Sequence, residues 1–267
     1  MMGLLPGVYT ANKKDGTLYF RASITYRNKH ISLGSYQTEH EAHEAYMDAN
    51  KILSDDTFTL EEFLSNHCTK SLPFEKSIIL INFRDNKLYF KTPIYIKKRY
   101  FLYFLSQSTV FKFAADDLFY YADHKIMKRG GHLFVSDFGM QVNILARYGI
   151  KNFAVCGKDY RFVNGDSTDY RYENIEIINK YHGVCQLIEK GLPIYKAKIH
   201  INGDFIIGKY GKEVEAAIAY NKAVDLLLQK GLVKNFTKNY IVELSHEEYR
   251  AIYQEIKISN HILEYEI

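Results

Sequence analysis

Two stretches of this chain follow one pattern. The first starts at Gly7 and reads GVYTANKKDGTLYFRASITYRNKHISLGSYQTEHEAHEAYMDA; the second starts at Gly183 and reads GVCQLIEKGLPIYKAKIHINGDFIIGKYGKEVEAAIAYNKA. Both open on Gly-Val. Both then carry an aromatic-basic-Ala-x-Ile run, Phe20 to Ile24 and Tyr195 to Ile199, and an Asn-containing turn. An apolar-Gly-x-Tyr ending follows, Leu33 to Tyr36 and Ile207 to Tyr210, and each copy closes on Glu-Ala-x-x-Ala-Tyr, Glu41 to Tyr46 and Glu215 to Tyr220. A unit spelled twice must fold the same way twice, so the chain holds two copies of one small supersecondary unit.

Alternation with period two places Ala22, Ile24, Ile31 and Leu33 on one side of a sheet, with Arg21, Ser23, Thr25, His30 and Ser32 on the other. Ala42, Ala45, Tyr46 and Ala49 recur at helical spacing, and Thr38-x-x-Glu41 is a capping box that starts that helix. In the second copy Ala197, Ile199, Phe205 and Ile207 fall inward, and Lys196, Lys198 and His200 outward. Each copy is therefore expected to be three short antiparallel strands on one helix. A sheet covered on one side leaves the other open, and basic, hydroxyl and aromatic groups there suit a nucleic-acid groove.

These motifs resemble the AP2/ERF-type DNA-binding domain and related integrase amino-terminal domains. The second copy carries Glu215-Ala216-Ala217-Ile218-Ala219-Tyr220 and a following Asn235-Phe236. The resemblance implies contact with double-stranded DNA through Tyr9, Arg21, Ser23, Thr25, His30 and Ser32, with Lys13 beside them. In the second copy it implies Cys185, Lys196, Lys198, His200 and Ile206. The chain has no Trp and little Arg on these faces, so the bases read are left open.

Charge is unevenly spread. Residues 68–181 hold 18 Lys/Arg against 11 Asp/Glu, within a chain of net charge +4. A local basic excess suits a phosphate backbone, and equally a solvated surface. Strand-like runs are Leu88 to Phe90, Tyr95 to Phe104 and His132 to Val135, with a helix expected over Val142 to Tyr148. Asn164-Gly165-Asp166, Asp169, Arg171, Asn174 and Ile175 resemble the HNH endonuclease signature, whose general-base His falls on Phe162 and whose middle Asn falls on Tyr170. Hydrolysis at such a site needs a base and a positioned cation, and Phe supplies neither. No catalytic residue, metal or cofactor is expected.

Residues for a displaced site are Asp123, His124, His132 and Asp137, with His67 beside Cys68. Gly130-Gly131, after Lys125, Lys128 and Arg129, reads as a phosphate-touching turn or a plain hairpin tip. Arg161 and Arg171 with Tyr160, Tyr170 and Tyr172 form an aromatic-basic cluster for DNA, or an aromatic core. In the tail, Ser245-x-x-Glu248 starts a helix running to about Ile258; its apolar face (Tyr249, Ile252, Tyr253, Ile256) docks on its own domain or on a second copy as a homodimer.

The expected fold class is α+β: two AP2-like three-stranded antiparallel sheet-plus-helix modules, 1–67 and 182–267, around an HNH-derived ββα-metal-like α+β domain, 68–181. No run approaches the roughly 20 apolar residues of a membrane span, residues 1–7 lack an export signal, and three unpaired Cys suit a reducing compartment. The expectation is a cytoplasmic, nucleoid-associated transcription regulator of bacterial or phage origin, derived from a homing endonuclease that lost catalysis. The alternatives are a metal-dependent HNH-type endonuclease with displaced residues and a protein-interaction module.

Overall fold

The computed structural model of the chain describes residues 4–66 and 69–266. The described residues form a mixed α+β structure with several small sheets, antiparallel but for one strand pair, and seven α-helices. In chain order the elements begin with β1 (Val8–Asn12), β2 (Leu18–Tyr26), β3 (Lys29–Tyr36), α1 (Glu39–Ser54), α2 (Leu60–Asn66) and α3 (Phe74–Asn86). Next come β4 (Ile94–Ile96), β5 (Tyr100–Ser106), β6 (Thr109–Ala114), α4 (Leu118–Asp123), β7 (Met127–Arg129), β8 (His132–Asp137) and β9 (Met140–Asn143). The remainder is β10 (Tyr160–Phe162), β11 (Asp169–Tyr170), β12 (Ile175–Ile177), β13 (Val184–Glu189), β14 (Leu192–His200), β15 (Asp204–Tyr210), α5 (Glu213–Gln229), α6 (His246–Glu255) and α7 (Asn260–Leu263). The chain divides into two compact units, Met1–Asn143 with Asp166–Asn174, and Ile144–Gly165 with Ile175–Ile267.

In the first unit, β1-β2-β3 form an antiparallel sheet whose inner residues Val8, Ala22, Ile24, Ile31 and Leu33 are buried against Ala42, Ala45 and Ala49 of α1. The small Ala side chains let helix and sheet approach closely, and each large apolar side chain buried here contributes about 1.5–3 kcal/mol. The capping box at Thr38 and Glu41 is formed on both sides. This core does not stop at residue 67: Ile78, Leu80, Ile81 and Phe83 of α3 and Phe104 of β5 belong to it.

Helix α3 covers residues for which the sequence offered no element. All eight residues from Ser77 to Arg84 are buried, so no polar face breaks the apolar run into a helical period. The expected strand Leu88–Phe90 is an irregular segment instead. Asn82 ties it down by donating to the Leu88 carbonyl at 2.9 Å while accepting from the Ile96 N–H at 3.0 Å.

Strands β4, β5 and β6 form a second sheet, extended by β11 running parallel to β6. Its core is aromatic: Phe113 stacks on Tyr170 with centroids 5.4 Å apart and meets Tyr121 at 4.3 Å. Strands β7-β8-β9 form a third sheet, and Gly130-Gly131 is the hairpin tip joining β7 to β8. The helix expected over Val142–Tyr148 is shorter and tighter, a 3-10 turn over Ile144–Tyr148, because Val142 pairs with Val135 as part of β9.

In the second unit, β13-β14-β15 repeat the first sheet, with Ala197, Ile199 and Ile207 buried against Ala216, Ala219, Ala223 and Leu227. The two copies agree in detail. Both sheets carry the same irregularity, between Ala22 and Ser23 and between Ala197 and Lys198, where Leu33 and Ile207 are the extra residues. Gly7 and Gly183 take left-handed φ of +77 and +71, and their carbonyls accept from Ser23 N and Lys198 N. The aromatic rings of Tyr46 and Tyr220 occupy the space a Cβ would need. The opening Gly of each copy thus fits the closing Tyr.

The tail helix α6 ends at Glu255 rather than Ile258. Its capping box is complete, and Tyr249, Ile252, Tyr253 and Ile256 pack on the core under α5. The face that sequence offered either to its own domain or to a homodimer is half-buried against the core of the chain's own unit. No helix among the described residues is long and apolar enough to cross a membrane.

Candidate nucleic-acid interface

The outward face of the first sheet is the site in question. None of the residues in β1, β2 or β3 is Asp or Glu. Cross-strand register sets Tyr9 beside Arg21 and Thr25 beside His30, and Thr25 Oγ1 lies 3.5 Å from His30 Nδ1. Tyr9, Arg21, Thr25, His30 and Ser32 are exposed, Tyr9 at 56%, and Lys13 is exposed in the turn after β1. Neither Arg21 nor Lys13 has an ion-pair partner among the described residues. Helix α1 closes the opposite face, so the free side of the sheet is the cationic one.

Ser23 departs from the expectation of an exposed reader. It is 8% exposed, and its hydroxyl has no hydrogen-bond partner among the described residues. The sheet irregularity beside it is the cause: the extra residue Leu33 bends β3 and draws Ser23 below the surface.

The second sheet presents a different face. Asp204 takes Lys198 as an ion-pair partner and lies 3.0 Å from His200 Nδ1, while Glu189 pairs with Lys209. The Lys198 ammonium and then His200 hold the Asp204 carboxyl below its ordinary range. Lys196 and Cys185 are half-buried, and Ile206 is 55% exposed. Two of the three proposed contact residues here, Lys198 and His200, are therefore engaged by Asp204 within the sheet.

The signature-like segment is divided between the units. In the second unit β10 pairs with β12, setting Arg161 against Glu176 with Nε 2.7 Å from Oε2, and Phe162 against Ile175. The chain runs from β12 into β13 without the helix that a ββα unit carries. Asn179 fastens this stretch, donating to the Lys158 carbonyl at 2.6 Å and accepting from Gln186 N at 2.8 Å.

In the first unit, Asp166 accepts from the Thr168 N–H and hydroxyl, and Asn174 donates to the Asp169 carbonyl at 2.8 Å. The buried Asp169 carboxylate takes Arg171 in a two-pronged pair, 2.8 and 2.6 Å. Of the aromatic-basic cluster, Arg161 and Arg171 belong to different units, Tyr170 is buried in an aromatic stack, and Arg171 also meets Glu173 at 3.2 Å.

The Arg171 guanidinium holds the Asp169 carboxyl below the usual carboxylate range. A depressed folded pKa adds stability above the unfolded value of about 3.9, and that stability is lost as pH falls through the folded value. Asp169→Ala is expected to lower stability by about 3 kcal/mol at pH 7. The deficit against the natural sequence should shrink below about pH 4, which urea titrations from pH 7 to pH 3 would read.

His124 is a packed residue. Its ring stacks on Tyr120 at 4.2 Å, its Nδ1 meets the Tyr120 carbonyl oxygen at 2.8 Å, and its Nε2 lies 3.5 Å from Asp137. No group of three or more His, Cys, Asp or Glu among the described residues is placed to hold a metal ion. His67 and Cys68 lie outside the described residues.

No family model, curated protein or solved structure matches this chain.

Proposed function

We propose that the chain is a non-catalytic, sequence-specific double-stranded DNA-binding protein acting as a transcriptional regulator, with the outward face of β1-β2-β3 as its main contact surface. The observation that carries this reading is the combination on one open sheet: Arg21, Lys13, His30 and hydroxyl groups, no carboxylate in any of the three strands, and cations without internal partners. An unpaired cationic sheet face is available to phosphates and base edges at once. The resemblance of both copies to AP2-type domains points the same way. Phe162 and Tyr170, standing where a nuclease needs its base and its Asn, support binding without cleavage.

Selection from a random duplex library followed by affinity titration tests this reading. Arg21→Ala is expected to weaken binding at least about tenfold, the effect of one lost charged contact, with its unfolding midpoint unchanged. The double variant Lys196→Ala/Lys198→Ala should lose less, because Lys198 is already held by Asp204. Equal affinity of Arg21→Ala and the natural sequence for the selected duplex would remove the first sheet as the binding face. The second sheet favours a protein contact more than the first does, since Leu192 and Ile206 are 67% and 55% exposed and its Lys198 and Lys209 are paired.

A further inference from the structure

The outward face of the first sheet is not flat. It encloses a recess of about 370 Å³ lined by Tyr9, Thr10, Arg21, Ser23, His30 and Ser32 among others, and no acidic residue lines it. Ser23 lines this recess with its residue more than nine-tenths buried and its hydroxyl without a hydrogen-bond partner among the described residues. A buried hydroxyl without a partner costs free energy, and native structures rarely keep one without a use. The Arg21 guanidinium beside it has no carboxylate to neutralise it among the described residues.

The second copy supplies an internal comparison. Ser23 pairs in register with Ser32, and the corresponding pair in the second sheet is Lys198 with Ile206. Arg21 corresponds to Lys196. Two long side chains thus occupy the ground that two serines leave open, and the first copy owes its recess to those serines.

We infer that this recess is a phosphate-binding pocket, in which the Ser23 and Ser32 hydroxyls and the Arg21 guanidinium hold one tetrahedral oxyanion. The lining decides the ligand class. Hydroxyls and a guanidinium donate to oxygen; a metal cation would need carboxylates, and the fixed positive charge of Arg21 repels one. The source of the phosphate rests on the DNA reading, under which it belongs to the duplex backbone; a free phosphate shares the same chemistry. A pocketed backbone phosphate fixes the register of the sheet on the duplex and leaves base reading to neighbouring residues.

The test titrates inorganic phosphate and, separately, the selected duplex into the full chain while amide shifts are followed. Two variants are compared: Ser32→Ile, which imports the second copy's residue and fills the recess, and Ser23→Ala, which removes the hidden hydroxyl. With the natural sequence, phosphate should produce saturable shifts at Ser23 and Ser32. These should vanish in Ser32→Ile and need at least about tenfold more phosphate in Ser23→Ala, the loss of one charge-assisted hydrogen bond. The unfolding midpoint of Ser23→Ala should not fall, whereas a purely structural hydroxyl would lower it on removal. On DNA, Ser32→Ile should weaken binding by a similar factor for all sequences and make the slope of log affinity against log salt less steep by about one.

Phosphate shifts that Ser32→Ile abolishes, in a chain that binds no duplex, would support the pocket for a free phosphate and remove the DNA reading. Duplex binding untouched by Ser32→Ile, or no phosphate shifts at Ser23 and Ser32, would overturn the pocket and leave the DNA reading standing.

Discussion

Gly183→Ala is expected to destabilise the second copy by about 3–5 kcal/mol, the scale of a lost aromatic core contact combined with overpacking. Two costs combine. The residue sits at φ +71, where an added Cβ meets its own carbonyl at about 1–2 kcal/mol. That Cβ would also overlap the Tyr220 ring and lie 2.5 Å from the Lys198 carbonyl oxygen, an atom fixed in the β13–β14 sheet. Tyr220 is buried on α5 with Ala219 and Ala223 beside it, so relief requires helix and sheet to part.

Gly7→Ala meets a comparable ring in Tyr46, but its three nearest atoms all belong to that side chain. Its cost should be smaller, and in Gly7→Ala/Tyr46→Ala the two losses should sum to less than their separate values. Because the chain forms two compact units, amide hydrogen exchange is the suitable measurement, reading the opening free energy of β13–β15 and β1–β3 separately. Equal protection in Gly183→Ala and the natural sequence would mean that the Gly–Tyr fit does not hold the copy together.

Arg84→Met is the second large effect, with an expected loss of about 3–5 kcal/mol from the first unit. The Arg84 side chain is 2% exposed, yet it carries a charge into the core. Its Nη1 donates to the Ile52 and Asp55 carbonyls, both at 2.8 Å, its Nη2 to Phe58 at 2.7 Å, and its Nε to Asp85 at 2.7 Å. The Ile52 carbonyl is among the last of α1, which have no partner within the helix, so one guanidinium closes α1 and fastens the following turn to α3. Met fills similar volume but leaves the Ile52 and Phe58 carbonyls without a donor and the Asp55 carbonyl with the Phe58 N–H alone. Arg84→Lys should recover only part of the loss, because an ammonium lacks the planar fork that reaches three oxygens. Denaturant midpoints of the three proteins test this order.

The repeat made much of this fold legible. Period-two alternation in residues 20–24 and 31–33 placed the buried face of the first sheet, and the boxes at Thr38 and Ser245 placed two helix starts, because these signals are local. What escaped the sequence depends on neighbours distant in the chain. Helix α3 is buried on every side and so shows no period. The role of Arg84 depends on the Ile52, Asp55 and Phe58 carbonyls, about 26 to 32 residues earlier in the chain. Ser23 reads as exposed by alternation, and only the irregularity opposite it lowers it into a recess.

Arg171 reads as a free cation, although Asp169 two residues earlier claims it. The contrast of Ser23 and Ser32 with Lys198 and Ile206 was present in the aligned copies and was the available signal for the recess. The tail helix was visible with its apolar face, but packing under α5, not sequence, chose its partner.

The central claim is that the open side of β1-β2-β3 holds the duplex. Titrating a selected 16-base-pair duplex into isotope-labelled protein at low salt, and mapping amide shifts, tests it most directly. The largest shifts are expected at Tyr9, Arg21, Thr25, His30 and Ser32, with smaller ones on β13–β15. Duplex binding whose shifts spare all five residues would contradict it.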